Sequence, residues 1–432
     1  MPADTIFALS SGSPPAGIGV VRISGPAAGI ALAALAGALP PPRRASVATL
    51  ADPVSGDVLD RTLVLWLPGP RTATGEDTAE LHLHGGRAVV AAVEAALGRV
   101  AGLRRAEPGE FTRRAFANGR IDLAEAEGLA DLLSAETELQ RRAAQAVAGG
   151  ALSRAVNDWR DALLHLSARL EAALDFADED DVADAGACLP PGFAGGCATL
   201  AADIGDWLAR PRAEPLKEGF RVVLAGPPNA GKSTLFNALV DSEAAITAAE
   251  PGTTRDVLMR SVALDGVAFT FVDTAGLRDE GAGAIEQIGI ERARAEATGA
   301  DLVLWLGEEG QGPQGAPLWE ITAQVDRAHV RKETPDHRIS AATGEGMAAL
   351  RAALVTHARA ALPQPGQAAL NRRQHGLLAD VARALHNAVA QHDPLLAAED
   401  LRLARRALDA LIGRTGTEDM LDALFGRFCI GK

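Results

Sequence analysis

The sequence predicts a multidomain chain of mixed α+β and α/β class. An N-terminal α+β domain is followed by a helical domain, and an α/β domain is inserted into the helical one. Three observations carry this. Short apolar runs mix with helical spacing at the start of the chain. Helical spacing alone governs Leu123 to Ala177 and returns after Pro363 and Pro365. Between those stretches strand and helix alternate, which predicts a parallel sheet with flanking helices. The expected boundaries are 1–117, 118–215, 216–360 and 361–432, the second and fourth forming one helical domain. At roughly 150 residues per domain, 432 residues fit about three domains.

In the first domain, Ile18-Gly19-Val20-Val21-Arg22-Ile23 and Leu63-Val64-Leu65-Trp66-Leu67 are apolar or β-branched runs bounded by Gly and Pro. Glu80-Leu81-His82-Leu83-His84 alternates polar with apolar and stops at Gly85-Gly86, and a helix is expected from Val89 to Leu97. In the helical domain Leu123, Ala126, Ala130 and Leu133 recur at helical spacing, as do Leu163, Leu166, Leu170 and Leu174, with Gly149-Gly150 a candidate break. The acidic run Asp175 to Asp184 is expected to end a helix, and the Gly/Pro/Ala-rich residues 185–198 to form a loop. In the inserted domain strands are expected at Arg221–Ala225, Ala268–Val272 and Asp301–Leu306, separated by helical stretches. Leu401, Ala404, Leu408 and Leu411 then share a helix face, as do Leu421, Leu424 and Phe425.

Composition narrows the function. The chain is 47% hydrophobic and 23% charged, an ordinary globular balance. Three cysteines cannot build a disulfide framework and fit a reducing compartment. No apolar run spans a bilayer and no signal peptide is read, so a cytoplasmic protein without a membrane anchor is expected. The net charge of -14 argues against generic binding of nucleic acid, so any RNA contact needs a local basic patch. The lysines are Lys217, Lys232, Lys332 and Lys432, and every other basic residue is Arg. A lysine retained against such a bias is a candidate for chemistry.

Gly226-Pro227-Pro228-Asn229-Ala230-Gly231-Lys232-Ser233 fits G-x-x-x-x-G-K-[ST] and lies between an apolar strand and a helix beginning at Thr234. Its glycines let successive N–H groups turn inward onto phosphate oxygens, aided by the positive helix N-terminus. Lys232 would reach the β- and γ-phosphates and the Ser233 hydroxyl would ligate Mg²⁺. Downstream, Asp273-Thr274-Ala275-Gly276 follows a strand; its Asp suits water-mediated Mg²⁺ binding and its Gly N–H a γ-phosphate. Between them, Gly252-Thr253-Thr254-Arg255-Asp256 supplies Thr254, which could complete the Mg²⁺ shell only with a triphosphate bound. Guanine recognition normally uses N-K-x-D. Here the best candidate is Ala323-Gln324-Val325-Asp326, where Asp326 could accept from guanine but the Asn and Lys are missing. Their loss is expected to cost about 1 kcal/mol per missing hydrogen bond. Ser340-Ala341-Ala342-Thr343-Gly344 matches the S-A-x-x-G loop that backs the base, and the set favours GTP over ATP.

With these residues the chain resembles the MnmE (TrmE) family of tRNA modification GTPases over nearly its whole length. The resemblance rests on Asp4-Thr5-Ile6, Val21-Arg22-Ile23-Ser24-Gly25, His84-Gly85-Gly86, Pro108-Gly109-Glu110-Phe111-Thr112, the phosphate loop, Gly252 to Asp256, Asp273 to Arg278, Ile288 to Ala293 and the terminal Phe428-Cys429-Ile430-Gly431-Lys432. It implies an N-terminal folate-binding-like domain and a P-loop GTPase inserted into a helical domain. It implies a homodimer that works with a flavin-dependent partner (MnmG, or GidA). The pair would add a carboxymethylaminomethyl-type group to C5 of the wobble uridine of certain tRNAs, with 5,10-methylene-tetrahydrofolate or a related folate as one-carbon donor.

The resemblance also implies site residues. Leu277 replaces the water-orienting Gln of Ras-like enzymes, and Glu286 would take that part. A bound K⁺ would replace an arginine finger, held by the Asn229 side chain and by carbonyls of the loop Ala248 to Gly252, Ala248 and Glu250 among them. The folate site carries over to Arg22, Glu80, Arg120 and Lys432: a carboxylate suits a pterin edge, and cations suit a glutamate tail. Cys429 reads equally as a reactive thiol beside the folate or as a small buried residue; Cys188 and Cys197 look incidental, and His82 and His84 lack a third metal ligand. Two other readings stand beside this one: a ribosome-assembly GTPase sharing the Gly-Thr-Thr-Arg-Asp loop, and a folate- or tRNA-binding scaffold with a weakened GTPase domain.

Overall fold

The computed structural model describes residues 4–175, 189–241, 258–273, 299–327, 332–364, 366–415 and 418–431. They fall into two compact units, one of residues 1–130 with 409–432 and one of residues 131–408.

The first unit is built on a six-stranded sheet of order β3-β4-β5-β2-β1-β6. Its strands are β1 (Thr5–Leu9), β2 (Ile18–Ser24), β3 (Ser46–Ala51), β4 (Val58–Leu67), β5 (Thr78–His84) and β6 (Leu103–Arg105), with helices α1 (Ala28–Ala36), α2 (Arg87–Leu97) and α3 (Glu110–Ala117). Only β6 pairs parallel, with β1. Strand alternation sorts the two faces. Val21, Ile23, Leu81 and Leu83 point into one core with Leu32 and Val93. Arg22, Glu80 and His82 therefore share the other face, where Ile6 and Ala8 pack with Phe111 of α3. The C-terminal segment returns to this unit through the last helix, where it meets the first half of α4 (Leu123–Leu133). α4 contributes Ala126 to a small core with Phe425 and Phe428. Ile430 then bridges to Pro108. At Gly431 (φ +96) a Cβ would stand 2.1 Å from the Leu9 carbonyl oxygen, so only glycine lets the tail lie this close to β1.

The second unit holds α5 (Glu138–Ala148), α6 (Ala151–Asp175), α7 (Phe193–Leu208), α8 (Glu214–Lys217), β7 (Phe220–Ala225), α9 (Lys232–Val240), β8 (Leu258–Leu264), β9 (Val267–Asp273), β10 (Leu302–Trp305), β11 (Leu318–Thr322), β12 (His337–Arg338), α10 (Met347–Ala361) and α11 (Arg372–Ala390); α12 (Pro394–Leu411) begins in it, and α13 (Glu418–Phe425) lies in the first unit. The break at Gly149-Gly150 separates α5 from α6 as the sequence suggests, and a Thr137–Gln140 capping box starts α5. The second sheet has the order β12-β11-β10-β7-β9-β8 and is parallel from β12 through β9. Its apolar strands pack Phe220, Phe269 and Phe271 against Leu235 and Leu239 of α9 and Leu350 and Leu354 of α10.

Two expectations are corrected, one at the edge of the parallel sheet and one at residues 193–198. β8 adds an antiparallel edge to the parallel sheet, joined to β9 by Asp265-Gly266, both at positive φ as a tight hairpin turn requires. Residues 306–317 connect β10 to β11 with no helix. Their glycines and prolines disfavour one, and Trp305 and Lys332 brace the connection: Trp305 Nε1 donates to the Glu308 carbonyl (2.7 Å) and Lys332 Nζ to the Trp305 carbonyl (2.6 Å). Residues 193–198, expected in a loop, open α7, and Cys197 is fully buried in it. Among the described residues, no helix is long and apolar enough to cross a membrane.

Burial pushes the Cys197 thiol up to about 11, while Cys429 is exposed. A thiol reacts as its thiolate. Iodoacetamide treatment of the native protein at pH 8 should therefore label Cys429 and spare Cys197, read by peptide mass mapping; rapid labelling of Cys197 would contradict its burial in α7.

Candidate functional site

The phosphate loop joins β7 to α9. Gly226 (φ +149), Asn229 (φ +63) and Gly231 (φ +96) leave the ordinary backbone regions, and this curls the loop. Lys232, 6% exposed, turns back across it and donates to the Gly226 and Pro227 carbonyls at 2.7 and 2.8 Å. Burial lowers the Lys232 pKa, and the nearby Asp273 carboxylate works against that shift. Asp273 ends β9, is fully buried, and accepts from the Ser233 hydroxyl at 2.8 Å. Parallel pairing of β7 with β9 fixes that contact, with Leu224 opposite Asp273. A hydroxyl and a carboxylate oxygen meeting in this way are hard oxygen donors of the type Mg²⁺ takes. Asn229 and Thr234 are exposed at the loop's rim, and Ala230 packs on the core.

A second loop approaches the first. After β11, Gln324 adopts φ +56 and its amide donates to the Asn229 carbonyl at 3.3 Å. Asp326 accepts from the Ser340 hydroxyl at 2.6 Å, and this bond first, with the backbone N–H next, holds its carboxyl below the usual range. Ser340 is buried, and Ala341 packs against the core. The fold thus brings Asn229, Ala230, Gly231, Lys232, Ser233, Thr234 and Asp273 together, with Asp326, Ser340 and Ala341 on the adjoining loop. Ala248, Glu250, Thr254, Thr274, Ala275, Gly276, Glu286 and Lys432 lie outside the described residues.

On the first unit's sheet, cross-strand register sets Arg22 opposite Glu80. Arg22 donates through Nε and Nη2 to Glu80 Oε1 at 3.1 and 3.0 Å, and His82 Nε2 lies 3.3 Å from Glu80 Oε2. The Arg22 guanidinium stands 5.9 Å from the Phe111 ring centre. Arg120 is exposed, its stem packed over Gly75. His84 Nδ1 pairs with Asp60 Oδ1 at 2.8 Å, and among the described residues no group of three His, Cys, Asp or Glu side chains is arranged to hold a metal ion. Below this patch lies an ion cluster the sequence reading missed. Arg114, with a 5% exposed side chain, meets Asp4, Glu76 and Glu110. Glu110 stands at i−4 from Arg114 on α3, a spacing the sequence does show, but Asp4 and Glu76 come from distant turns and carry no signature. A cavity of about 630 Å³ between α6 and α7 is lined by Trp159, His165 and Trp207 and holds none of the predicted residues.

Two family profiles match the chain: "MnmE helical domain" over residues 123–429 and "GTP-binding protein TrmE N-terminus" over residues 5–120. The protein described as tRNA modification GTPase MnmE of Novosphingobium aromaticivorans is 74% identical over 435 residues, covering 99% of this chain and 100% of its own. The protein so described from Erythrobacter litoralis is 61% identical over 430 residues, covering 99% and 100%. Among solved structures, the G domain of the T. maritima FeoB iron transporter aligns at 24% identity over 32% of this chain and 98% of its own, with a TM-score of 0.24.

Proposed function

The chain belongs to the MnmE family of tRNA modification GTPases, and from that premise we propose that it is a K⁺-stimulated GTPase acting in tRNA wobble-uridine modification. It is a GTP hydrolase with a multidomain fold, and family membership sets aside the ribosome-assembly reading. The finer roles are our reading. Residues 118–215 and 361–432 form one helical domain into which the GTPase domain 216–360 is inserted, after a folate-binding-like domain at 1–117.

One observation carries the nucleotide site: Lys232, Ser233 and Asp273 converge at the loop's mouth while Asp326 and Ser340 converge beside it. In this reading the inward-turned amides of Asn229 to Thr234 hold the α- and β-phosphates, with Thr274, Ala275 and Gly276 near the γ-phosphate. Ser233 and Thr254 ligate Mg²⁺, and Asp273 orients its water shell. Asn229 with Ala248 and Glu250 holds K⁺, a cation that offsets charge developing between the phosphates. Glu286 orients the attacking water. Asp326 reads guanine, backed by Ser340 and Ala341. Arg22, Glu80, Arg120 and Lys432 take the folate; the Arg22–Glu80 pair supplies a carboxylate and a cation at one place, which suits a pterin edge beside an anionic tail. The protein acts as a homodimer with a flavin-dependent MnmG-like partner on tRNA in the cytoplasm.

GTP hydrolysis should be markedly faster in KCl than in NaCl at equal ionic strength. Glu286→Ala should bind GTP normally yet lose about 10²- to 10³-fold in turnover, the scale for removing one transition-state contact. Equal rates in both salts would refute the K⁺ role, and unchanged turnover of the variant would refute the role of Glu286. Nucleoside analysis of tRNA from cells lacking the protein tests the modification itself: intact wobble uridine modification would exclude it.

A further inference from the structure

We propose that Gln324 is a positioning residue for nucleotide selectivity, its side-chain amide fixing the base-reading loop against the phosphate loop through the Asn229 carbonyl. The inference rests on the GTPase reading above and deepens it. Among the described residues, the non-glycine positions with positive φ are Arg43, Asn229, Asp265 and Gln324. Asp265 is explained by its hairpin turn. Asn229 and Gln324 sit in different loops, far apart in sequence, and one hydrogen bond joins them. Left-handed backbone at non-glycine residues persists where the surroundings hold it, and it collects at functional sites.

The contact is built from both sides. The left-handed turn at Gln324 aims its side chain back at the phosphate loop. Gly231 gives it room: a Cβ there would stand 3.2 Å from Gln324 Nε2 and 3.8 Å from the Ala323 methyl. The amide then donates to the Asn229 carbonyl. Two residues further on, Asp326 is locked to Ser340, whose hydroxyl also accepts from the Thr343 N–H at 3.2 Å. One hydrogen bond thus ties Gln324 to the phosphate loop and another ties Asp326 to Ser340, with only Val325 between the two anchored residues. Asp326 is the group that would read the base, and its distance from the phosphates is set by the Gln324 link. The missing Asn and Lys are therefore offset in part: an amide makes a directed bond to a loop carbonyl, which Ala323 cannot make.

The test uses the full-length protein and fluorescent GDP and ADP. Gln324→Met keeps the length of the stem over Gly231 but removes the donor. It should weaken GDP binding about fivefold, the loss of one neutral hydrogen bond, with ADP binding unchanged, so that selectivity falls by the same factor. Gln324→Lys restores a donor of similar reach and should return selectivity to the wild-type value, a rescue that a merely structural role would not give. Wild-type GDP affinity in Gln324→Met, an equal loss for GDP and ADP, or no rescue by Lys would each overturn the proposal. Asp326→Asn tests the premise separately: it should shift preference from guanosine to xanthosine diphosphate. Without that shift the guanine-reading assignment fails, and the proposal fails with it.

Discussion

Lys232→Ala should lower GTP hydrolysis by at least about 10²- to 10³-fold and weaken GTP binding, because one side chain supplies the positive charge at the loop's mouth. The argument is geometric. Lys232 is 6% exposed, and its ammonium already spans the loop, donating to the Gly226 and Pro227 carbonyls at 2.7 and 2.8 Å. Its partner in charge is the buried Asp273, which also receives the Ser233 hydroxyl. Removing the ammonium takes the donor from two part-buried loop carbonyls and a positive charge from beside Asp273, at a cost of about 1 kcal/mol for each hydrogen bond lost. Lys232→Met separates the two effects, since it fills the volume without the charge. Both variants should bind GTP weakly and hydrolyse it negligibly, with the Ala variant melting lower. Filter binding, single-turnover hydrolysis and a melting curve check this. Hydrolysis within a few-fold of wild type would mean that the loop does not grip a triphosphate in the way proposed.

Much of this was legible because the relevant signals are local. The strands β7, β9 and β10 stand within a residue or two of where apolar runs bounded by Gly predict them. The phosphate loop reads directly, since its spacing is the geometry of a chain curling around an anion. Failures came where one residue type serves two physical ends. Gly195-Gly196 read as loop, yet both lie in α7, and Gly196 lets α6 come close: a Cβ there would stand 2.6 Å from Leu166 Cδ2. Asp265-Gly266 was an available hairpin signal for β8 that the parallel-sheet reading passed over. Gln324 looked like a loss relative to N-K-x-D because its partner, a backbone carbonyl in another loop, carries no signature in sequence. Arg22 and Glu80 were named from a resemblance, and the register of β2 against β5 supplies the reason they meet.

Arg114 gives the largest expected change in stability. Its guanidinium donates from Nη2 to Asp4 Oδ1 at 2.9 Å and Glu110 Oε1 at 3.0 Å, and from Nη1 to the Asp4 carbonyl at 3.0 Å and to Glu76 Oε2 at 3.3 Å. Ser24 donates to the same Glu76 carboxylate at 2.8 Å, which ties the cluster to β2 beside Arg22. Arg114→Met, of similar bulk but uncharged, removes the cation shared by all three carboxylates, while Arg104 stays with Asp4 and Glu110 and the Ser24 hydroxyl with Glu76. Breaking a buried ion cluster from one side typically costs about 3–5 kcal/mol, and urea unfolding of the N-terminal unit should show a loss of that size at pH 7. The acid dependence gives a second reading. Burial works to raise the Asp4 and Glu110 pKa values, but Arg104 and Arg114, with the Glu107 N–H at Glu110, outweigh it and hold both carboxyls below their ordinary 3.8 and 4.5. A depressed carboxyl stabilises the folded state above its unfolded pKa, and that contribution disappears as pH falls through the folded value. Wild type should therefore lose stability steeply on acidification below about pH 4.5, while Arg114→Met, with both carboxyls released toward their ordinary values, loses less over the same window. The two stability curves should converge at low pH. Equal stability at pH 7, or parallel curves down to acid, would show that Arg114 fills space in this unit and its charge holds nothing.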